Sequence, residues 1–152
     1  MKKHIDYYLG MFLALLMAIM TLDVLWGVFT RYVLDSQASW SEELARFLLI
    51  WIGILGAAYA AGQRMHLAID LLSPKLSLSR RKQLDLFIRT LVALFALLVL
   101  VIGGIRLIYI SHVLGQLSPA LRLPMTVVYV CLPISGLLII YYQFTARRPE
   151  VA

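Results

Sequence analysis

The sequence predicts an all-α membrane protein with four transmembrane helices, and three observations carry that prediction. First, 62% of the residues are hydrophobic and only 14% charged, with a mean hydropathy of +0.87; in soluble domains about a quarter are charged. Second, the chain contains four apolar runs, each long enough to cross about 30 Å of hydrocarbon at ~1.5 Å per residue. Third, most lysines and arginines flank these runs, which is how membrane topology is signalled. The formal charge of +6 is therefore read as a topology signal and not as a nucleic-acid surface. A length of 152 residues has room for one four-helix domain over 1–152 and no separate soluble domain. The single cysteine, Cys131, excludes an internal disulfide or a multi-cysteine metal site. It lies in an apolar run and is expected to be a packed thiol.

The first helix is predicted over about 7–33. Lys2 and Lys3 precede an apolar run, as in a signal peptide. The run is too long for one and ends without a small-x-small cleavage site, so it is read as retained. Tyr7 and Tyr8 suit one interface; Trp26 and Tyr32 lie toward the other. Asp23 is anomalous: a mid-span acid costs about 2.5–3.5 kcal/mol on insertion scales, so it must face protein or water. An ion pair with Arg106, at similar depth, is favoured over a proton or cation site.

A polar loop, Asp35 to Ser39, leads to a second helix predicted over 40–62. Ser39 and Glu42 have capping-box spacing, and Glu42 precedes Arg46 by one turn in the favourable order. No charge occurs from Phe47 to Ala61. Gly53, Ala57 and Ala61, with Gly56 alongside, form a row of small residues where another helix can approach closely in lipid. The cluster Trp40, Glu42, Glu43 and Arg46 at the membrane boundary needs either a local ion pair or a partner protein. Past the far end, Arg64, His66, Asp70 and Lys75 alternate with leucines. That predicts a short interfacial amphipathic arm over about 66–78, broken near Ser73-Pro74. Arg80, Arg81 and Lys82 then form a basic run suited to anionic lipid headgroups.

The third helix is predicted over 84–111. Asp85 and Arg89 pair at its start, Gly103-Gly104 marks a close-packing or flexible point, and Arg106 can snorkel. The loop from Gly115 to Pro124 is short, with apolar residues between two prolines, and should be stiff. The fourth helix, 124–144, starts at a proline favoured in first turns. Pro133, near Ser135 and Gly136, predicts a mid-membrane kink.

Orientation follows from the basic residues. With the N-terminus inside, Lys2, Lys3, Arg64, Lys75, Arg80, Arg81, Lys82, Arg147 and Arg148 lie inside, and only Arg31, Arg46 and Arg122 outside. Nine against three predicts that both termini are cytoplasmic.

Reactive chemistry finds little support. Haem between two histidines would need facing ligands, but His66 and His112 fall at opposite membrane faces, about 30 Å apart. There is no phosphate-binding glycine loop, zinc-protease motif or cysteine cluster, and no Ser/His/Asp triad can be assembled across the membrane. The chain is expected not to be an enzyme and to need no cofactor or metal. Two alternatives stay open: a stand-alone cation-coupled exporter using Asp23, and a membrane anchor for a redox enzyme.

The order R-Y-V-L, S-W-S-E-E-L-A-R-F-L-L-I-W, G-A-A-Y-A, H-L-A-I-D and S-P-A-L-R-L-P resembles the small membrane subunit, DctQ type, of tripartite ATP-independent periplasmic (TRAP) transporters, over about residues 25 to 140. The resemblance implies a non-catalytic scaffold in the bacterial inner membrane. It would form a stable heterodimer with a large subunit that moves substrate by sodium symport. A periplasmic binding protein would deliver an organic acid: a C4-dicarboxylate, sugar acid or sialic acid. On that reading Trp40, Glu42, Glu43 and Arg46 anchor the partner subunit at the outer rim. Gly53, Gly56, Ala57 and Ala61 give close helix contact. His66 and Asp70, in the inner arm, meet lipid or the large subunit. Arg31, Asp35, Gln37 and Arg122 are candidates for touching the binding protein.

Overall fold

The computed structural model describes residues 2–36, 38–63 and 78–145. It contains α1 (Lys2–Val33), α2 (Ser39–Gly62), α3 (Leu78–Phe95), a π-helical segment (Ala96–Gly103), α4 (Gly104–Val113), α5 (Met125–Tyr129) and α6 (Cys131–Thr145). The third span runs from α3 through the π segment to α4, and the fourth joins α5 to α6. Four helical stretches are long and apolar enough to cross a membrane: His4–Val33, Ser39–Gly62, Leu86–Val113 and Met125–Thr145. The predicted four-span all-α architecture is thus the observed one.

The predicted bounds shift for local reasons. The third helix starts at Leu78, six residues before the predicted 84, because arginine, lysine and glutamine are good helix formers and no breaker separates them from the apolar run. Arg80, Arg81 and Lys82 are therefore in its first turns. The rest of the predicted arm, with His66 and Asp70, lies outside the described residues. In the fourth span the helix is interrupted at Val130. Pro133 lacks the N–H that would reach the carbonyl of Tyr129, and its ring crowds that carbonyl. The break therefore falls one turn before the proline. The π segment was not foreseen.

The helices pack in the order first, second, fourth, third. α1 lies chiefly on α2, α2 on α6, and α6 on the π segment. One apolar cluster joins Leu9, Leu55 and Tyr142 across three spans. A second joins Ala58, Ala96 and Ile139. Small residues set the close approaches. A methyl group on Gly62 would lie 2.8 Å from Cζ of Tyr142, so the tyrosine ring rests on that glycine. One on Gly104 would lie 2.9 Å from Cβ of Leu132, and one on Gly136 2.8 Å from Cγ2 of Val101 and 3.1 Å from the carbonyl of Ala96. The π segment and α6 therefore lie close together, with Gly136 at one point of approach and Gly104, against Pro133, at the other. This is how membrane helices associate when lipid supplies no hydrophobic contrast.

Candidate functional site

The polar groups of the chain converge where α2 begins, at the end of the bundle that also carries the loop from Gly115 to Pro124. That loop folds as a tight hairpin. Ser118 N–H donates to the carbonyl of Leu123 at 2.9 Å, and Met125 N–H to that of Gln116 at 3.0 Å. At its tip, Arg122 N–H donates to the carbonyl of Ser118 at 3.0 Å, closing one helical turn over Pro119, Ala120 and Leu121. Serine followed by proline is a common way to start such a turn. The turn leaves N–H groups at its start with no partner of their own.

Glu43, in the second turn of α2, supplies that partner. Its Oε2 accepts from Ser118 Oγ at 2.9 Å, Ala120 N–H at 3.0 Å and Leu121 N–H at 2.7 Å. A carboxylate at the amino end of a helical turn is favoured by both hydrogen bonding and the peptide dipoles. Ser118 is 2% exposed. One glutamate thus ties the second span to the connection between the third and fourth. The turn leaves Arg122 exposed with φ +52°, and Gly115 with φ +57°; the glycine takes this left-handed conformation without strain.

Glu43, which the sequence offers to a partner subunit, has its carboxylate on a loop of its own chain. The capping box is also absent: α2 starts at Ser39 behind Ala38, with no side-chain cap. Glu42 instead faces Arg46 at 3.8 Å, with side chains 51% and 76% exposed. Such a pair contributes roughly 0–1 kcal/mol. Arg46→Ala is accordingly expected to leave the thermal stability of the isolated chain unchanged within error.

Asp23 also departs from expectation. Ser41 Oγ donates to its backbone carbonyl at 3.0 Å, so Asp23 is level with the first turn of α2. From there α1 continues to Val33, about 15 Å at 1.5 Å per residue. The side chain is 7% exposed, and neither carboxylate oxygen has a partner among the described residues. The pair with Arg106 does not form. Arg106 is exposed on α4, in the span at the far edge of the row from α1. Similar depth did not mean adjacency, because depth along a span says nothing of lateral order. With no ion pair to lose, Asp23→Asn is expected to preserve the fold and thermal stability of the chain; a large loss of stability would show that the carboxylate has a partner the described residues do not include.

The remaining candidates divide by face. Trp40, Gly53 and Ala57 are exposed, and side chains built on Gly53 or Gly56 would meet nothing within 4 Å. Ala61 instead packs inward against the Ala58–Ala96–Ile139 cluster. Beside it α2 buries Ala58 and Gly62 within the chain, which the four-residue row did not single out. Arg31 and Asp35 are exposed at the end of α1, Asp35 with φ +47°; Gln37 lies outside the described residues. Cys131 is buried, its thiol directed to the carbonyl of Val128 at 3.2 Å. Among the described residues no group of three metal-ligating side chains occurs. Ser118 and Ser41 were not picked out from sequence; the Ser-Pro step is the signal that marks the first.

The sequence model of the DctQ component of tripartite ATP-independent periplasmic transporters matches residues 17–147. The chain is 30% identical over 102 residues to the C4-dicarboxylate TRAP transporter small permease protein DctQ of Rhodobacter capsulatus, covering 67% of this chain and 44% of that protein. It is 37% identical over 90 residues to the sialic acid TRAP transporter small permease protein SiaQ of Vibrio cholerae, covering 58% and 50%. A 119-residue match at 29% identity covers 77% of this chain but 19% of the isethionate TRAP transporter permease protein DctMQ of Oleidesulfovibrio alaskensis. The matched stretch is thus about half the length of the first two relatives.

Proposed function

The chain belongs to the DctQ component family of tripartite ATP-independent periplasmic transporters, and from that premise we propose that it is the non-catalytic small subunit that braces a larger membrane subunit. The observation that carries this reading is the open face of α2. Gly53, Gly56 and Ala57 are flat and unpacked within the chain, whereas Leu55, Ala58 and Gly62 on the same helix are buried. A flat strip on a membrane helix suits a second protein's helix, because close backbone approach is what association in lipid gains. The relative named DctMQ, of which this chain matches only a fifth, fits a small unit working beside a large one.

On this reading the chain lies in the bacterial inner membrane with both termini cytoplasmic, following the basic residues. The hairpin then faces the periplasm, and Asp35 and Arg122, both exposed and left-handed at turns, are the points offered to a soluble binding protein. Trp40 and Arg46 frame the rim beside the α2 strip. The large subunit carries substrate and sodium sites. The substrate is an organic acid; the relatives' names differ on which, as they would if this subunit does not select it.

Gly53→Leu tests the reading. It should leave the isolated chain's fold and thermal stability unchanged, and should reduce copurification with the large subunit severalfold. Unchanged copurification would remove the strip from the interface. Organic-acid transport by the purified chain alone in liposomes would overturn the scaffold reading itself.

A further inference from the structure

We propose that the groove between the end of α1 and the start of α2 is a binding site for a phospholipid with a primary ammonium headgroup, phosphatidylethanolamine. Because α1 runs on past the first turn of α2, the two helices leave a half-open cavity of about 270 Å³. Val24, Val28 and Ala45 make an apolar wall, Tyr32 flanks it, and Arg31 and Glu42 stand on its lining with opposite charge. The floor is closed by the contact of Ser41 with Gly27, where a side chain would lie 3.0 Å from the serine hydroxyl.

Each part matches one part of the ligand. Arg31 is exposed and forms no ion pair among the described residues; a guanidinium binds a phosphodiester through paired N–H donors. Glu42, already near one cation in Arg46, offers carboxylate acceptors to a primary ammonium, which has three N–H donors. Val24 and Val28, one turn apart on α1, set the apolar wall along that helix on the side of Arg31 away from its end. The site is level with the exposed Trp40 in the first turn of α2, and tryptophan favours headgroup depth. Charged pockets between membrane helices bind headgroups in this manner. Arg31 thereby serves lipid, leaving Asp35 and Arg122 as the docking pair.

The test is native mass spectrometry of the full chain, purified with the subunit that accompanies it, after exchange into nanodiscs of defined lipid. Phosphatidylethanolamine should be retained over phosphatidylcholine, whose quaternary ammonium has no N–H to donate, and over phosphatidylglycerol. Arg31→Gln should lower retention of every phospholipid by about tenfold, the weight of one charge-assisted contact. Glu42→Gln should abolish the preference for ethanolamine while keeping retention. Ala45→Trp, which fills the groove, should release the lipid even if Arg31→Gln perturbs folding. Equal retention by all variants, a preference for choline or glycerol headgroups, or displacement of the lipid by inorganic phosphate alone would each overturn the assignment. So would a partner side chain occupying the groove in the assembled complex. None of these results depends on transport, so their failure is separable from failure of the scaffold reading.

Discussion

Replacing Glu43 with alanine should free the hairpin between the third and fourth spans while leaving the helices intact. The three hydrogen bonds to its Oε2 all go to one atom, and nothing else described makes so many polar contacts between α2 and that loop. Without the carboxylate, Ala120 and Leu121 N–H groups lose their acceptor and Ser118 Oγ loses its own. Bonds to a charged acceptor are the stronger class, so hydrogen exchange at these two amides should accelerate by at least about tenfold. Glu43→Gln keeps one oxygen acceptor without the charge and should fall between. Ser118→Ala removes one bond of three and should act less. Unchanged exchange in Glu43→Ala would show that the loop is held by its own backbone bonds. The same variant separates two roles for this residue: a loss of copurification without faster exchange would assign it to the partner interface.

Placing leucine at Gly136 should have the largest effect on stability. The Cβ alone would meet Val101, Leu100 and the Ala96 carbonyl within 3.1 Å. The Val101 methyl can rotate away; the Leu100 Cβ and the Ala96 carbonyl are fixed to the backbone of the π segment and cannot move without repacking the span. The cost should exceed the ~1–3 kcal/mol typical of overfilled cores. Thermal unfolding in detergent should shift down sharply, with the third and fourth spans separating first. Gly53→Leu, with nothing within 4 Å, is the matched control and should not shift it. A Gly136→Leu chain as stable as the parent would mean that these spans do not pack closely.

Much of this was legible in the amino-acid sequence. Apolar run length set the number of spans, because backbone groups in lipid must be satisfied within a helix. Pro133 announced an irregularity because a missing N–H acts locally, and Ser118-Pro119 contained the start of a turn. The motifs S-E-E and S-P-A-L-R-L-P were both visible, yet their union was not. They are 75 residues apart, as Glu43 and Ser118 show, and no local rule links them.

The sequence by itself determined how many times the chain crosses the membrane, which residues punctuate each crossing, and the family to which it belongs. Only the tertiary structure decided which spans are neighbours. That order separates Asp23 from Arg106, turns Glu43 inward to the hairpin, and divides the small residues of α2 between a packed face and an open one. The physical reason is that span formation depends on hydropathy and hydrogen bonding along the chain. Lateral order depends on the shapes that glycine, alanine and proline leave on facing helices, and those become defined only when the helices meet.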